Sequence, residues 1–409
     1  MGQLVSSGLL APVDLGDKAD LFTEVGLTGC TYEGQLYCIP YAQENLAFFY
    51  NTDLVAEAPA TWDEVVEVGT ALMESGDATY GFALTGTTYD AFPLNTAFGG
   101  YIFGRDDAGN YNPQDLGVDN EGMIAAGQWM ADQVEAGFMP NTTDWDTAHV
   151  LFETGEIPFL MAGPWALDRI RTSGVPYAIS TFPEGPAGQG APFAGVQGFF
   201  VNALGENPLL AQAFLSEFVA TEEVMQALYD TGQRPSAFIS VLEATEDPDI
   251  ASFGEAGANA VLMPAIPEMG SVWGSWGDAV TLILNGEQTA DEALTTGAAQ
   301  IRELVAGAAA GMVNVPGSWQ AAADIGCGDW DPACEGSALA AVMMVCTPVP
   351  SPCLLVIMKP KSALDGGWTT NYGVDGKADG DNYTFSLAAD GTVTFTFDPD
   401  SHILTIETE

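Results

Sequence analysis

The sequence predicts an α/β fold followed by a strand-rich, all-β tail. Apolar runs of strand length alternate with amphipathic runs of helix length over roughly the first 305 residues, which indicates an α/β architecture. Residues 306–311 are all glycine or alanine, a composition typical of linkers. After them, period-2 patterns separated by turn residues predict strands at 382–387, 391–398 and 402–407. With 409 residues, the chain is long enough for two or three domains.

Helix-start signals and apolar runs place the elements of the α/β region. Thr61 and Glu64 form a capping box, and Thr289 with Glu292 caps the last helix of the region. The other predicted strands lie at 80–84, 157–161, 175–181 and 193–202, and a loop is predicted at 86–89. Further helices are predicted at 121–136, 207–219 and 221–229. One more helix ends at 148–153, another starts at 163–164, and a third includes 278–284.

A polar trio, Gln43, Glu44 and Asn45, separates two apolar, aromatic-rich runs at 38–42 and 46–51. Polar side chains between buried strands need hydrogen-bond partners or access to water. A pair of strands that crosses from one lobe to another, with the trio at the floor of a crevice, meets that need. A single strand with a satisfied buried Glu44 meets it equally well, and the residues alone leave both interpretations open.

Composition and charge exclude several classes of function. The chain has 56 acidic and 9 basic residues, and its formal charge of -47 argues against nucleic-acid and anionic-membrane partners. No apolar run is long enough to span a bilayer. His149 and His402 lack the spacing of a zinc site, and no Walker loop or nucleophile elbow occurs. The sequence therefore predicts no catalytic residue, metal or cofactor, although composition alone does not exclude a glycosidase carboxylate pair.

The six cysteines include two closely spaced pairs. Cys30 and Cys38 flank a turn, where a three-residue loop would place them directly opposite each other and a two-residue loop would offset them. Cys327 and Cys334 are close enough in sequence to close a small loop. Two disulfides would indicate an oxidising compartment, and free buried thiols are the alternative.

Several segments carry a family resemblance in the order in which they occur. They are IPYAQENLAFFYNTDL, TWDEVVEVGTALMESG, LGVDNEG, FETGEIPFLMAGPWAL, FAGVQGFFVNA, MPAIPEMGSVWGSWGDAV and TADEALTTGAAQI. Together, over about residues 5–305, they resemble the maltose/maltodextrin-type extracellular solute-binding proteins of ABC importers. The resemblance implies a periplasmic-binding-protein-like fold of two lobes, with an N-lobe at 1–43 and 198–247 and a C-lobe at 47–195 and 248–305. Because the family's first strands and its secretion signal precede the segment that Met1 opens, we expect an amino-terminally truncated chain with an incomplete N-lobe and exposed sheet edges.

The candidate ligand-binding residues are mainly aromatic. The resemblance implies sugar contacts at Glu44, Tyr89, Trp165, Met263 and Trp273. Trp276, one helical turn after Trp273, is a further candidate from its spacing. Aromatic faces stack on pyranose C–H surfaces and carboxylates bind hydroxyls, but core packing is the alternative for each tryptophan. Gly274 stands where the maltose-binding members have an aromatic residue, so the shape of one subsite differs.

The tail carries a second resemblance. VNVPGSW, GDWDPAC and LDGGWTTNYG, at 312–341 and 362–409, resemble the immunoglobulin-like β-sandwich modules that accompany pullulanases. Trp368 and Tyr372 are candidate glucan contacts, with core packing as the alternative. Between the two stretches that carry the resemblance, residues 336–364 contain no Asp or Glu. After a shift of one base, the codons of 343–345 and 358–359 encode acidic residues, and codon degeneracy permits the rest to encode acidic, strand-like sequence. We therefore expect 342–361 to be a compensated frameshift, with Cys346 and Cys353 as its artefacts.

The resemblances predict a non-catalytic receptor of an ABC sugar importer that binds maltodextrin-like oligosaccharides between its lobes. Its expected partners are the ligand and the membrane subunits of the permease, and we expect a monomer that is extracellular or periplasmic and membrane-tethered when intact. A surface protein that anchors α-glucans, or an accessory part of an extracellular amylolytic enzyme, is the alternative.

Overall fold

The computed structural model describes residues 1–106 and 109–306 with their side chains, the backbone of 307–309, and short strands between 313 and 408. The chain divides into a first unit, Met1–Ala299, and a second unit, Gln300–Glu409. The first unit is mixed α/β, as the sequence predicts. Among the described residues, no helix has the length and apolar character needed to cross a bilayer.

The strands of the first unit are short, apart from two. They are β1 (Leu10–Ala11), β2 (Thr31–Tyr32), β3 (Gln35–Leu36), β4 (Cys38–Glu44), β5 (Ala47–Asn51), β6 (Phe103–Arg105), β7 (Tyr111–Leu116), β8 (Phe159–Ala162), β9 (Tyr177–Ser180), β10 (Glu184–Gly185), β11 (Gly188–Gln189), β12 (Phe193–Asn202) and β13 (Val261–Leu262). The long strands β4 and β12 pair antiparallel with each other.

The helices that begin in the first unit include the predicted ones and others that the sequence analysis did not predict. They are α1 (Gly2–Ser6), α2 (Glu24–Gly29), α3 (Trp62–Ser75), α4 (Thr88–Ala97), α5 (Glu121–Glu135), α6 (Trp145–Glu153), α7 (Leu167–Ser173), α8 (Pro208–Phe214), α9 (Glu222–Gly232), α10 (Ile239–Glu243), α11 (Pro248–Ala256), α12 (Trp273–Leu284) and α13 (Ala290–Ala309). Short 3-10 turns occupy Gly16–Leu21, Pro164–Ala166 and Pro267–Ser271, and a π-helical turn, Leu215–Val219, follows α8.

Two sequence-based assignments are corrected. Residues 80–84 do not form a strand, because the described hydrogen bonds of this stretch are isolated: Thr79 N–H donates to Glu156 and Gly81 N–H to Phe138. Residues 86–89 are not all loop, because α4 begins at Thr88. The two capping signals are confirmed: Thr61 Oγ1 accepts from Glu64 N–H at 3.1 Å, and Thr289 Oγ1 accepts from Glu292 N–H at 3.3 Å.

The larger core covers both faces of the three-stranded sheet β8–β5–β9. β5 lies in the middle and pairs antiparallel with both neighbours. Because side chains alternate along a strand, Phe48 faces one group of buried residues and Phe49 faces the other. Phe48 stacks on Phe159 with 5.3 Å between ring centroids. Burial on both faces explains why residues 46–49 are apolar without a break.

A separate, smaller core packs against the far ends of β4 and β12. Its buried members are Val13, Leu15, Phe22, Ile39, Val201, Leu215, Ala220, Met225, Ala237, Phe238 and Val241. Ile39 lies on β4, whereas Leu46, just beyond the end of that strand, belongs to the larger core. Residues 44–46, called the crossing below, therefore carry the chain from one core to the other. The structure has two strands here, β4 and β5, rather than one.

A disulfide ties the start of β4 to the end of α2. Cys30 and Cys38 are bonded, with their Cα atoms 5.1 Å apart, which confirms the predicted pair. The hairpin between them has a two-residue turn, Glu33–Gly34, in which both residues have positive φ angles of 50° and 77°. Tyr37 N–H donates to Cys30, so the cysteines are offset as a two-residue turn requires. The predicted Cys327–Cys334 pair lies outside the described residues.

The smaller core leaves large apolar side chains in solvent. On and after α8, Leu209 is 81% exposed, and Leu210, Phe214 and Phe218 are also largely exposed. Phe214 and Phe218 stack on each other with 6.1 Å between centroids. Contiguous apolar surface of this kind is uncommon on a monomeric soluble protein.

The second unit is described through its strands. They are β14 (Val313–Asn314), β15 (Ala338–Leu339), β16 (Met344–Cys346), β17 (Val356–Met358), β18 (Ser362–Leu364), β19 (Asn371–Tyr372), β20 (Phe385–Leu387), β21 (Val393–Asp398) and β22 (Ile403–Thr408). β14 pairs with β15 and β18, β18 with β19, β17 with β20, and β21 with β16 and β22, all antiparallel. The β-sandwich and the compensated frameshift at 342–361 stay predictions.

Candidate functional site

The polar trio at the crossing finds partners for all three side chains. Gln43 accepts a hydrogen bond from Thr23 Oγ1 at 2.8 Å, and Asn45 Nδ2 donates to the Phe253 carbonyl at 3.0 Å. Glu44 is 8% exposed and ends strand β4. These contacts fix the chain as it leaves the smaller core, since a buried polar group without partners is costly.

Side chains from two other segments contact the Glu44 carboxylate. Gln197 Nε2 on β12 donates to Oε1 at 2.8 Å. Arg234 Nη1, in the segment after α9, lies 3.0 Å from Oε2 in an ion pair. That pair lacks hydrogen-bond geometry, so the buried Oε2 atom retains its full capacity to accept a hydrogen bond.

Tyr89 lies beside Glu44 in the first turn of α4. Thr87 caps this helix, because its Oγ1 accepts from Asp90 N–H at 3.2 Å. A methyl group at Gly195 would lie 3.5 Å from Glu44 Cγ and 3.6 Å from Tyr89 Oη, so the two side chains meet over this glycine. Burial, followed by the charges of Glu44 and Asp90, raises the pKa of Tyr89 well above its ordinary value. The tyrosine is therefore a neutral hydroxyl at physiological pH.

Asp90 is a buried carboxyl that the sequence analysis missed. It lies below Tyr89 on α4, and Thr85 Oγ1 donates a hydrogen bond to it. Burial raises the pKa of Asp90, while the hydrogen bonds from Thr85 and Thr87 act in the opposite direction. The Thr-x-x-Asp spacing from Thr87 to Asp90 is a helix-start signal that could have located both α4 and this residue.

An aromatic cluster connects the predicted ring residues. Tyr89 lies 6.3 Å from Trp165 and 5.6 Å from Phe193, measured between ring centroids. Phe193 in turn lies 6.2 Å from Trp273. The structure thus links Tyr89 to Trp165 directly and to Trp273 through Phe193, and Tyr89 connects this cluster to Glu44. Phe193 was also missed, although it opens the FAGVQGFFVNA segment.

Trp165 depends on the glycine two residues before it. Its ring folds back over Gly163, where a methyl group would lie 2.3 Å from two ring carbons. The ring is half-buried, so one part of it stays open to solvent. The 3-10 turn Pro164–Ala166 holds it in this place, with Pro164 at a position that lacks a helical hydrogen bond.

Met263 and Trp276 differ in exposure. Met263 is 37% exposed, and its N–H donates to the Ala194 carbonyl of β12 at 3.1 Å, one residue before Gly195. Trp276 is fully buried, stacked 6.0 Å from Trp273. This burial corrects the expectation that Trp276 contacts the sugar: its ring supports Trp273 from the core. The side chains of Trp368 and Tyr372 lie outside the described residues.

A buried carboxylate and a neutral tyrosine among half-exposed rings are the groups that a small-molecule binding site presents. The family model described as bacterial extracellular solute-binding protein matches residues 1–253 of the 409. The chain therefore belongs to this family of non-catalytic, extracellular binding proteins.

Curated relatives agree with this membership. The chain is 30% identical to the maltotriose-binding protein of Pyrococcus abyssi over 301 residues, 71% of this chain and 65% of the relative. It is 29% identical to the galactooligosaccharide-binding protein of Bacillus subtilis over 323 residues, 74% of this chain and 75% of the relative. It is 26% identical to the maltooligosaccharide ABC transporter solute-binding lipoprotein of Streptococcus pneumoniae R6 over 319 residues, 75% and 74% of the two chains. The chain thus spans less than two thirds of the first of these relatives.

Proposed function

We propose that this chain is the receptor of an ABC importer and binds neutral oligosaccharides, with maltodextrins favoured. One observation carries the proposal: Glu44, Tyr89, Trp165 and Trp273 gather at the crossing between the two cores. A pyranose has apolar C–H faces that stack on rings and hydroxyls that donate to carboxylates. Met263, at the edge of β12, would line the same site.

The two cores would be the two lobes of a solute-binding fold, with an incomplete N-lobe around the smaller core. The proposed boundaries are 1–43 and 198–247 for the N-lobe and 47–195 and 248–305 for the C-lobe. The exposed apolar side chains on α8 support the proposal that the N-lobe is incomplete. The ligand would select a closed arrangement of the lobes, which a monomeric receptor presents to the permease subunits outside the cell.

Titration calorimetry of the full chain tests the proposal. The relatives are named for maltotriose, maltooligosaccharides and galactooligosaccharides, so maltotriose and a galactooligosaccharide are the two ligands to compare. We expect heat with maltotriose and about tenfold weaker binding for Trp273→Ala, because a lost ring contact costs about 1.4 kcal/mol. Trp129→Phe, on a ring packed against Trp62 elsewhere in the larger core, is the control. No heat with either sugar would refute the proposal.

For the tail we propose a starch-binding β-sandwich at 312–409, joined by the linker at 306–311. Its resemblance to pullulanase-associated modules supports this, with Trp368 and Tyr372 as the glucan contacts. A second binding module would raise the local glucan concentration near the receptor. We expect insoluble starch to retain the full chain and Trp273→Ala, and to retain less of Trp368→Ala. Equal retention of all three proteins would contradict the role of Trp368.

A further inference from the structure

The Glu44 carboxylate is contacted by side chains from both segments that flank strand β4. On one side β12 pairs with β4, and Gln197 reaches Oε1. On the other side runs the segment 234–237, whose Pro235 carbonyl accepts from Gln43 N–H at 2.9 Å and whose Ala237 N–H donates to Tyr41 at 3.1 Å. Arg234, at the start of that segment, reaches Oε2.

Strand register explains the reach of Gln197. Glu44 is directly opposite Gly195, and Gln197 is opposite Ala42, so Glu44 and Gln197 are diagonal neighbours. Diagonal pairs on one face lie within reach of long side chains. Because residue 195 is glycine, no side chain stands between the carboxylate and the amide of Gln197.

Burial explains why the carboxylate needs a cation. Glu44 is 8% exposed, and the side chain of Arg234 is 29% exposed, so the pair is largely withdrawn from water. A buried charge that loses its partner is strongly destabilising, whereas a well-placed pair roughly balances its cost of desolvation. Tyr89, whose hydroxyl lies over the same glycine as the Glu44 side chain, supplies no positive charge.

The described contacts leave hydrogen-bond acceptor capacity on the Glu44 carboxylate, whose Oε2 atom is buried without a hydrogen-bond donor. An ionised carboxylate offers about four lone-pair sites, and the described contacts use one hydrogen bond and one ion pair. Since the carboxylate is held on both sides, its remaining sites point in a fixed direction. Each of the three segments that meet here has a residue in the smaller core, namely Ile39, Val201 and Ala237, whereas the chain that leaves β4 enters the larger core at Leu46.

We propose that Arg234 and Gln197 are positioning residues that hold Glu44 for a sugar hydroxyl, and that they couple this contact to the arrangement of the crossing. The inference rests on the proposed function and deepens it. A change in the relative position of β12 and the segment 234–237 would release the carboxylate. The contact with the sugar is therefore strongest in the arrangement of segments that satisfies both positioning residues.

Calorimetry with maltotriose on four variants of the full chain tests the inference: Arg234→Met, Arg234→Lys, Glu44→Gln and the Arg234→Met/Glu44→Gln double variant. We expect Arg234→Met to weaken binding about tenfold, Arg234→Lys to recover most of the loss, and Arg234→Met to have no further effect in the Glu44→Gln background. Arg169→Met is the control, because it removes an arginine of similar exposure and its two ion pairs outside the site, and the affinity of this variant for maltotriose should be unchanged. Wild-type affinity of Arg234→Met, or the same loss in both backgrounds, would overturn the proposal.

Thermal unfolding without sugar separates this inference from the proposed function. If Arg234 acts through Glu44, the Tm shift of the Arg234→Met/Glu44→Gln double variant differs from the sum of the shifts of Arg234→Met and Glu44→Gln. If the unmodified chain binds neither maltotriose nor a galactooligosaccharide but the shifts in Tm are coupled, the proposed function fails and the contacts among Arg234, Gln197 and Glu44 stand. If maltotriose binds and the shifts add, the positioning role fails and the receptor function stands.

Discussion

Replacing Gly163 with alanine tests whether the Trp165 ring forms part of the binding surface. A methyl group there would lie 2.3 Å from the Cη2 and Cζ3 atoms of the ring. Carbon atoms pack at about 3.5–4.0 Å, so the ring would have to move by more than about 1 Å. The backbone angles of Gly163, φ -103° and ψ 177°, are open to alanine. The substitution therefore acts through the tryptophan ring.

The expected costs to stability and to binding differ. Overpacking lowers the free energy of unfolding by about 1–3 kcal/mol. We expect a loss of about 1 kcal/mol for Gly163→Ala, because the half-buried Trp165 ring can turn outwards. A displaced ring no longer stacks on the sugar, and an aromatic contact is worth about 0.5–1.5 kcal/mol beyond area burial. We therefore expect the Kd for maltotriose to rise about tenfold while the protein stays folded.

Calorimetry with maltotriose, paired with thermal unfolding, measures both effects. Gly277→Ala on α12 is the matched control, because a methyl group at that position meets nothing within 4 Å. This control should keep its affinity and gain about 0.5–1 kcal/mol of stability, since alanine is favoured over glycine in helices. If Gly163→Ala binds maltotriose as tightly as the control does, the reasoning about the Trp165 ring is refuted.

Three further predictions concern stability. Arg171→Met should lose about 2 kcal/mol in chemical denaturation, because Arg171 donates hydrogen bonds to Asp247 and Asp249; an unchanged midpoint would contradict this. Burial lowers the pKa of His149, so the unfolded state binds the proton first and stability should fall as the pH drops below about 6.5, by at most about 1.4 kcal/mol per pH unit from this group. His149→Asn should show a shallower decline in unfolding experiments between pH 7 and 5, and identical slopes would refute the assignment. Replacing Cys30 and Cys38 with serine should lower the free energy of unfolding by about 2.5 kcal/mol relative to the oxidised unmodified chain, as expected for a sequence separation of 8. The reduced unmodified chain is the control that should match the variant, and no difference from the oxidised chain would show that the bond does not stabilise the fold.

Local signals in the sequence were sufficient for elements with strong caps and clear periodicity. The α3 helix follows Thr61, and β12 has the predicted bounds of 193–202. The stretch 80–84 is as apolar as a strand, but it lacks a continuous neighbour to pair with. Whether an apolar run becomes a strand depends on its partner, and a single sequence does not contain that information.

The site could be predicted only in part for the same reason. Glu44 and Trp165 lie in short segments that resemble a known family, and Tyr89 is a contact that this resemblance implies. Gln197 joins them through a strand register that crosses 153 residues of sequence. Trp276 has the right spacing from Trp273 but turns into the core, where Phe92 packs at 6.4 Å. Spacing along a helix fixes the relative direction of two side chains, but which direction faces the core is set by tertiary packing.

The charge of the chain and the chemistry of the site favour the same class of ligand. With a formal charge of -47, the protein repels anions at a distance, and three arginines of the described first unit are paired locally. Arg169 and Arg171 pair with carboxylates on the larger core, and Arg234 pairs with Glu44. An anionic ligand would meet this long-range repulsion and compete with Glu44 for the same arginine. A neutral sugar avoids both costs, because it is not repelled and its hydroxyls donate to the carboxylate that Arg234 already balances.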